Sequence, residues 1–236
     1  GLRATDAAAA ARAALGRWLG ARASDFMLVA DAGDGGPDAY RYAARDGVVT
    51  VRGTSAVALL RGCHDYLREQ GLGLMAWSGN RAELPARLPD ADARRVQCPY
   101  ALRQYFNVCT FGYTTVWWDW SRWQRELDWM ALHGFNMPLA MCGQEAVWTR
   151  AWGSFGIKPG ELRDFYTGPA FLPWNRMGNV SGHGGPLDDH WMRRDLELQH
   201  RILDRMRELG MQPIVPAFSG FVPAAWAARH PHARVA

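Results

Sequence analysis

From residue 96 onward, short apolar segments alternate with longer amphipathic ones, and this alternation limits the folds that the chain can adopt. Apolar runs at Tyr105–Cys109, Phe135–Met141 and Met211–Phe218 predict three strands, with helices between them. Strand–helix–strand order is typical of a parallel α/β architecture. Three such units in about 140 residues match the beginning of a (β/α)8 TIM barrel, which needs roughly 250 residues to close.

The helices between these strands have clear boundary signals. Asp119 is expected to cap the first helix, and Gln144–Phe155 is predicted to form the second. Asp188 or Asp189 is expected to begin a longer third helix that Gly210 ends. The 3.6-residue period places Trp120, Trp123, Leu127, Met130 and Ala131 on the buried face of the first helix and Arg122, Arg125 and Glu126 outside, and it places Leu198, Ile202, Met206 and Leu209 on one face of the third.

Residues 1–95 predict a separate, smaller α/β domain. Ala7–Leu19 has helical composition, and Asp25–Ala30 is a short strand bounded by a glycine-rich turn at Gly33–Gly36. A hairpin follows, in which Gly47 supplies the positive φ of the reversal. We therefore predict a small α/β domain followed by the first βα units of a barrel.

The end of this first domain is placed by composition. Thr54 or Ser55 is expected to cap a helix that Gly71 ends, and Leu72–Trp77 is predicted to be a strand. The segment Leu84–Asp92 is rich in proline and aspartate and has no hydrophobic periodicity. We therefore predict two domains, residues 1–95 and residues 96–236, and we interpret both ends of the chain as cuts in a longer polypeptide.

Polar residues at the ends of the barrel strands are the first candidates for a functional site, because TIM-barrel active sites lie at the carboxyl ends of the strands. Asn107 and Gln144 are amides that can bridge sugar hydroxyls, and Glu145 is a carboxylate that can accept from two of them. The alternative is that all three cap helices or satisfy loop backbone. Spacing alone does not decide between these readings.

Tryptophan is abundant in the same region, with nine between Trp117 and Trp191. Flat aromatic faces pack against the C–H faces of pyranose rings, but tryptophans on a buried helical stripe, such as Trp120 and Trp123, belong to the core. Trp174 differs because it lies in the long Gly168–Pro186 segment, where no periodic stripe accounts for it. Ligand contact and a structural role are weighed equally for Trp174.

Several classes of function are disfavoured. Arginine produces the pI near 9.1, with Lys158 the only lysine, but no arginine cluster is long enough to follow a phosphate backbone, so we expect no nucleic-acid partner. We also expect no membrane partner, since no apolar run is long enough to span a bilayer. Metal chemistry and serine chemistry lack their motifs, and His183, His190 and His200 have no zinc-site spacing.

Ordered sequence blocks add a family resemblance that covers about residues 98–223. The blocks are Asn107-Val108-Cys109-Thr110 through Tyr113, Val116–Trp120, Glu126–Leu132, Gly143–Trp148, Phe165 with Thr167–Leu172, Arg176–Asn179, Gln199–Arg201 and Met211–Phe218. In this order they resemble the α-N-acetylglucosaminidases of glycoside hydrolase family 89. The first 95 residues are similar to the small domain that precedes the barrel in that family.

The resemblance implies an enzyme that removes terminal α-linked N-acetylglucosamine and needs no cofactor. It implies a retaining mechanism with two glutamates, which stand about 5 to 5.5 Å apart in retaining enzymes. In the family order both lie on later strands, beyond Ala236, so no catalytic residue is assigned here. The resemblance also places Asn107, Cys109, Tyr113 and Trp174 in the wall of the sugar subsite, with Gln144 and Glu145 as second choices that orient that wall.

Other interpretations stay open at this point. A non-catalytic carbohydrate-binding module would keep the sugar wall without the glutamates, and a β-hexosaminidase would differ in its N-acetyl contacts. The expected partner is a glycan with terminal α-N-acetylglucosamine, and heparan sulfate, mucin-type glycans and other polymers are not distinguished. The resemblance implies a secreted or periplasmic protein for a bacterial source and a lysosomal one for an animal source; the oligomeric state is open.

Overall fold

The computed structural model describes residues 4–32 and 35–234, and it is an α/β structure with two compact units. The first unit comprises residues 1–105, 123–138 and 204–213, and the second comprises residues 106–122, 139–203 and 214–236. The strands are β1 (Phe26–Ala30), β2 (Ala39–Arg45), β3 (Val48–Gly53), β4 (Gly73–Ala76), β5 (Gly79–Ala82), β6 (Ala91–Gln97), β7 (Gln104–Tyr105) and β8 (Met137–Pro138). The α-helices are α1 (Ala4–Leu19), α2 (Ala56–Glu69), α3 (Thr110–Tyr113), α4 (Trp120–Leu132), α5 (Gln144–Ser154), α6 (Leu172–Arg176), α7 (Asp189–Glu208) and α8 (Ala224–Arg229).

A four-stranded sheet organises the first unit, in the order β1-β3-β2-β6. The β1–β3 pair is parallel, and β2 pairs antiparallel with both β3 and β6. Alternate residues of β2 and β3, such as Tyr42 and Val51, are buried on the side that packs on α2. Gly62 permits that packing, because a Cβ there would lie 2.6 Å from Cγ1 of Val51.

Local signals in this unit were interpreted correctly. Asp46 and Gly47 take φ values of 54° and 83° in the β2–β3 reversal. Ser55 caps α2, where its Oγ accepts from the Ala58 N–H at 3.0 Å, and Gly71 follows the helix with φ 68°. The predicted turn at 33–36 is described only in part, since residues 33 and 34 lie outside the described ranges.

The segment that the sequence marked as a boundary is partly a strand. Ala91 and Asp92 begin β6, which pairs with β2 at the edge of the sheet. No strand signal is visible in the sequence here because β6 is almost entirely exposed and carries charged residues, so it has no apolar alternation to detect. The division into domains 1–95 and 96–236 stays a prediction.

The three strands that the sequence predicted for a barrel are shorter than expected. Tyr105–Cys109 reduces to β7, because Phe106 takes φ 71° and turns the chain out of the extended conformation. Phe135–Met141 reduces to β8, which pairs parallel with β7. Met211–Phe218 contributes one parallel bridge, between Leu139 and Ile214, since the flanking prolines cannot donate to a ladder.

The long helices match their predicted bounds closely. Asp119 Oδ1 accepts from the Arg122 N–H at 2.9 Å at the start of α4, and Gly210 follows α7 with φ 71°. The buried stripe of α4 contains Trp123, but Trp120 is only half-buried. Placing Glu126 outside was wrong: its side chain is buried and accepts from Trp77 Nε1 at 3.0 Å, which satisfies the carboxylate inside the unit.

No described helix is both long and apolar enough to cross a membrane.

Candidate functional site

A tight turn that leads into α3 holds two of the predicted site residues. Asn107 Oδ1 accepts from both the backbone N–H and the Oγ1 hydroxyl of Thr110, each at 3.0 Å, and so fixes the turn. The Cys109 carbonyl accepts from the Gly112 and Tyr113 N–H groups at 2.9 and 3.2 Å. Asn107 is exposed, and among the described residues only its amide oxygen makes a hydrogen bond, so its NH2 group can donate to a ligand.

Tyr113 and Trp174 form an aromatic corner. Their rings meet edge to face, with centroids 5.3 Å apart and an interplanar angle of 88°. Tyr113 is 74% exposed and Trp174 is half-buried, so both present apolar surface to solvent. Gly112 makes the corner possible, since a Cβ there would lie 2.8 Å from Cζ3 of Trp174 and 2.9 Å from the Ala170 carbonyl oxygen.

The expectation that Trp174 lies in an irregular loop was wrong, because it lies in the short helix α6. The helix begins at Leu172 with Pro173 in its first turn, where proline costs no backbone hydrogen bond. Leu172 and Pro173 are buried and anchor the helix while Trp174 projects from it. Helix α6 is too short, and its flanking residues are too rich in glycine and proline, for a helical period to be visible in the sequence.

The other two predicted residues open helix α5. Gly143 precedes it with φ 70°, its N–H donates to Asp195 Oδ2 at 3.1 Å, and a Cβ at this position would lie 2.8 Å from Cα of Leu196. Gln144 is half-buried, and its side-chain amide makes no hydrogen bond with any residue in the described ranges. The Gln144 amide is thus available to a ligand, whereas the neighbouring Glu145 points inward.

Glu145 forms a buried ion pair that the sequence analysis missed. Arg176 Nε and Nη2 donate to Glu145 Oε1 and Oε2 at 2.8 and 2.9 Å, with side-chain exposures of 4% and 2% for Arg176 and Glu145. The Glu145 carbonyl also accepts from Thr149 Oγ1 and the Tyr166 hydroxyl. Since Arg176 ends α6, the pair ties the helix that carries Trp174 to the start of α5.

Burial around this pair shifts the pKa values of its neighbours. Desolvation raises the pKa of Asp195, an effect that the Gly143 N–H and Arg176 oppose. Burial, and next the nearby Asp195, raise the pKa of the Cys142 thiol well above its usual range, so this thiol is protonated and unreactive. The interior of this region is therefore a packed support, while the Asn107 amide and the Tyr113 ring are exposed to solvent.

The structure separates the six predicted residues into an exposed and an internal group. Tyr113 and Trp174 are in contact, Asn107 and Cys109 lie on the turn into α3, and Gln144 is partly accessible. Glu145 is internal and reaches α6 only through Arg176. Within residues 4–32 and 35–234, no three His, Cys, Asp or Glu side chains are grouped so as to hold a metal ion.

Comparison with known families gives two matches that together span most of the chain. Residues 103–236 match the Alpha-N-acetylglucosaminidase (NAGLU) tim-barrel domain, and residues 9–90 match the Alpha-N-acetylglucosaminidase (NAGLU) N-terminal domain.

Individual relatives agree with these matches. The human protein named Alpha-N-acetylglucosaminidase is 47% identical over 92% of this chain, and the chain spans 30% of that protein. A family 89 glycoside hydrolase from Clostridium perfringens, solved with 2-acetamido-1,2-dideoxynojirmycin, superposes with a TM-score of 0.92 at 29% identity, over 98% of this chain and 27% of its own. A glutamate-to-glutamine double variant of a Clostridium perfringens family 89 enzyme was solved with its substrate GlcNAc-alpha-1,4-galactose. It superposes with a TM-score of 0.90 at 29% identity, over 96% of this chain and 26% of its own.

Proposed function

Because the chain belongs to the α-N-acetylglucosaminidases of glycoside hydrolase family 89, we propose that it forms part of an enzyme that removes terminal α-linked N-acetylglucosamine from glycans. The observation that carries this proposal is the family match across both sequence regions, together with an exposed aromatic and amide surface in the matched barrel region. The chain spans about a third or less of its relatives' length, so the activity of the whole protein is part of the proposal.

The proposed sugar wall consists of the exposed group. Trp174 offers a ring face for the apolar side of the pyranose, Tyr113 offers a hydroxyl and a second ring, and Asn107 and Gln144 offer amide N–H donors. Cys109 would close the wall as a small residue in van der Waals contact. A wall of this kind binds and orients the sugar but supplies no carboxyl group to protonate the glycosidic oxygen.

Glu145 is proposed as a positioning residue. Both of its oxygens are engaged by Arg176 and its side chain is buried, so it has neither a free lone pair directed at solvent nor the access that a nucleophile needs. Through Arg176 it would hold α6, and with it Trp174, in a fixed position. The two catalytic carboxylates of the retaining mechanism would come from the later part of the family's length.

The finer architecture belongs to the same proposal. Residues 1–95 would form the N-terminal domain, and residues 96–236 would supply the first three βα units of the (β/α)8 barrel. The parallel pairing of β7 with β8 and the parallel Leu139–Ile214 bridge support this order of strands. The proposed partner is a glycan with terminal α-N-acetylglucosamine, in a secreted, periplasmic or lysosomal setting according to source.

The experiment compares this chain with the product of the same gene extended to its natural stop codon. Release of the aryl group from an aryl α-N-acetylglucosaminide is expected only from the extended form. Activity in neither form, combined with N-acetylglucosamine binding by this chain, would instead favour a non-catalytic carbohydrate-binding module. Activity in the short form would place the catalytic groups within residues 1–236 and would make Glu145 the first residue to mutate.

A further inference from the structure

Three arginines lie side by side on the outer face of the four-stranded sheet. Arg52 of β3 is directly opposite Arg41 of β2, and Arg41 is directly opposite Arg95 of β6. Tyr40 and Tyr42, which flank Arg41 in β2, are buried on the opposite face of the sheet. Because successive side chains of a strand point to opposite faces, the arginines lie on the outer face. Residues directly opposite on one face have Cβ atoms roughly 4.5 to 5.5 Å apart, and like charges at that spacing are destabilising.

We call Arg41, Arg52 and Arg95 the arginine ladder. In the described part of the chain, only Arg52 of the ladder has an acidic partner. Arg52 Nε and Nη2 donate to Asp31 Oδ1 at 3.1 and 2.6 Å. Arg41 and Arg95 are exposed and pair with no acidic side chain among residues 4–32 and 35–234. Counting only the described residues, three arginines against the single carboxylate of Asp31 leave the ladder with an excess of about two positive charges.

Nearby arginines of the same unit are treated differently. Arg94 bonds Glu69 at 2.6 Å, Arg45 bonds Asp92 at 2.7 Å, and Arg87 bonds Asp46 at 2.7 Å. The unit thus supplies carboxylates to arginines close in sequence to the ladder, whereas none of its described residues supplies one to Arg41 or Arg95. An external anion would remove the repulsion that the register creates.

The ladder also lines a groove of the right size and polarity. The groove encloses about 350 Å³, and its lining includes all three arginines, Thr54 and Gln97. Guanidinium groups donate two parallel N–H bonds to planar or tetrahedral oxyanions, and neighbouring amide and hydroxyl groups suit sugar hydroxyls. Asp31 holds the Arg52 fork in place, which reduces the entropy lost when an anion binds.

We infer that this groove binds a saccharide chain that carries sulfate or carboxylate groups. The groove would hold an acidic part of the glycan at a second site on the first unit, in addition to the proposed sugar wall. The choice of a saccharide rests on the proposed function, whereas the oxyanion site itself rests on the ladder alone. The small net charge of +4 for the whole chain conceals this local concentration of charge.

The test is calorimetric titration of this chain, and of the extended protein, with a sulfated heparin-derived octasaccharide. The probe is compared with the same octasaccharide after desulfation and carboxyl reduction, and with inorganic sulfate. The double variant Arg41→Gln/Arg95→Gln is expected to bind the sulfated probe at least tenfold more weakly. The control Arg45→Gln/Arg87→Gln removes the same charge from paired arginines and is expected to bind within twofold of wild type.

Thermal melting keeps the result interpretable. Removing two repelling charges should leave the Tm of the ladder variant at or above that of wild type. The sulfated probe should raise the Tm of wild type and of the control variant but not that of the ladder variant. Equal weakening in both double variants, no binding by wild type, or equal binding of the uncharged probe would overturn the inference. Inorganic sulfate binding as tightly as the octasaccharide would overturn the saccharide assignment.

Hydrolysis separates this inference from the proposed function. An uncharged aryl α-N-acetylglucosaminide does not need the ladder, so the extended ladder variant should hydrolyse it at the wild-type rate. Loss of aryl glycoside hydrolysis in wild type would count against the proposed function and leave the titration result unaffected.

Discussion

Replacing Arg176 with methionine should be among the most destabilising single changes in the second unit. The substitution keeps much of the side-chain volume but removes both donors to the Glu145 carboxylate, which is 2% exposed in its side chain. Breaking a buried ion pair by removing one partner costs about 3 to 5 kcal/mol, because the remaining charge stays buried without compensation. That is a large part of the roughly 5 to 15 kcal/mol that stabilises an ordinary domain.

A double-mutant cycle measures the pair itself. Arg176→Met, Glu145→Gln and the combined variant are compared by urea unfolding, and the combined change is expected to cost less than the sum of the single changes because no charge is left buried. Arg176→Lys keeps the charge but loses the two-pronged contact, so it should fall between wild type and the methionine variant. The lysine variant also keeps the test usable if Arg176→Met does not fold.

Arg207→Met provides the matched control. Arg207 pairs with Asp204 at 2.6 Å, but their side chains are 63% and 69% exposed, so this change should cost less than about 1 kcal/mol. If Arg176→Met were as mild as the control, Glu145 would have to be accessible to solvent. The assignment of Glu145 as a positioning residue would then be wrong.

Two further predictions concern the first unit and the aromatic corner. Burial, and next the neighbouring His133, lower the pKa of His64 to about 4. The neutral His64 therefore stabilises the fold fully above pH 6.5, and this stabilisation, on the order of 3 kcal/mol, is lost as the pH falls from 6.5 towards 4. Urea midpoints at pH 7 and pH 4.5 should therefore differ less in His64→Gln than in wild type, and equal pH dependence in both would contradict this. Gly112→Ala should raise the KM of the extended enzyme for an aryl α-N-acetylglucosaminide several-fold, because the new Cβ would lie 2.8 Å from Trp174. Gly153→Ala is the control, since a Cβ there would meet open space. Equal KM values in the two variants would refute the steric argument.

Sequence patterns predicted the elements whose signals are local. Helices α2, α4 and α7 have an apolar stripe, a capping side chain at one end and a glycine at the other, and each was placed within a few residues. The β2–β3 hairpin could also be predicted from the sequence, since Gly47 specifies the reversal. In all these cases the information lies within about one turn or one strand of the position that uses it.

The missed features depend on partners that are distant in the chain. Strand β6 is specified by pairing with β2, not by its own composition, and Glu126 is buried because Trp77 supplies a donor from 49 residues away. The pairing of Glu145 with Arg176 spans 31 residues and gives no periodic signal. The resemblance suggested the candidate site residues by motif, but contacts alone show which of them face solvent and which support the others.

The most direct test of the account is the kinetics of Trp174→Ala in the extended protein, with an aryl α-N-acetylglucosaminide as substrate. If the Trp174 ring forms the sugar wall, kcat/KM should fall at least tenfold, about 1.4 kcal/mol of lost transition-state binding. Tyr100→Ala, which removes another aromatic side chain that is 68% exposed, should leave kcat/KM unchanged. An unchanged kcat/KM in folded Trp174→Ala would contradict the claim that this chain supplies the sugar-binding wall.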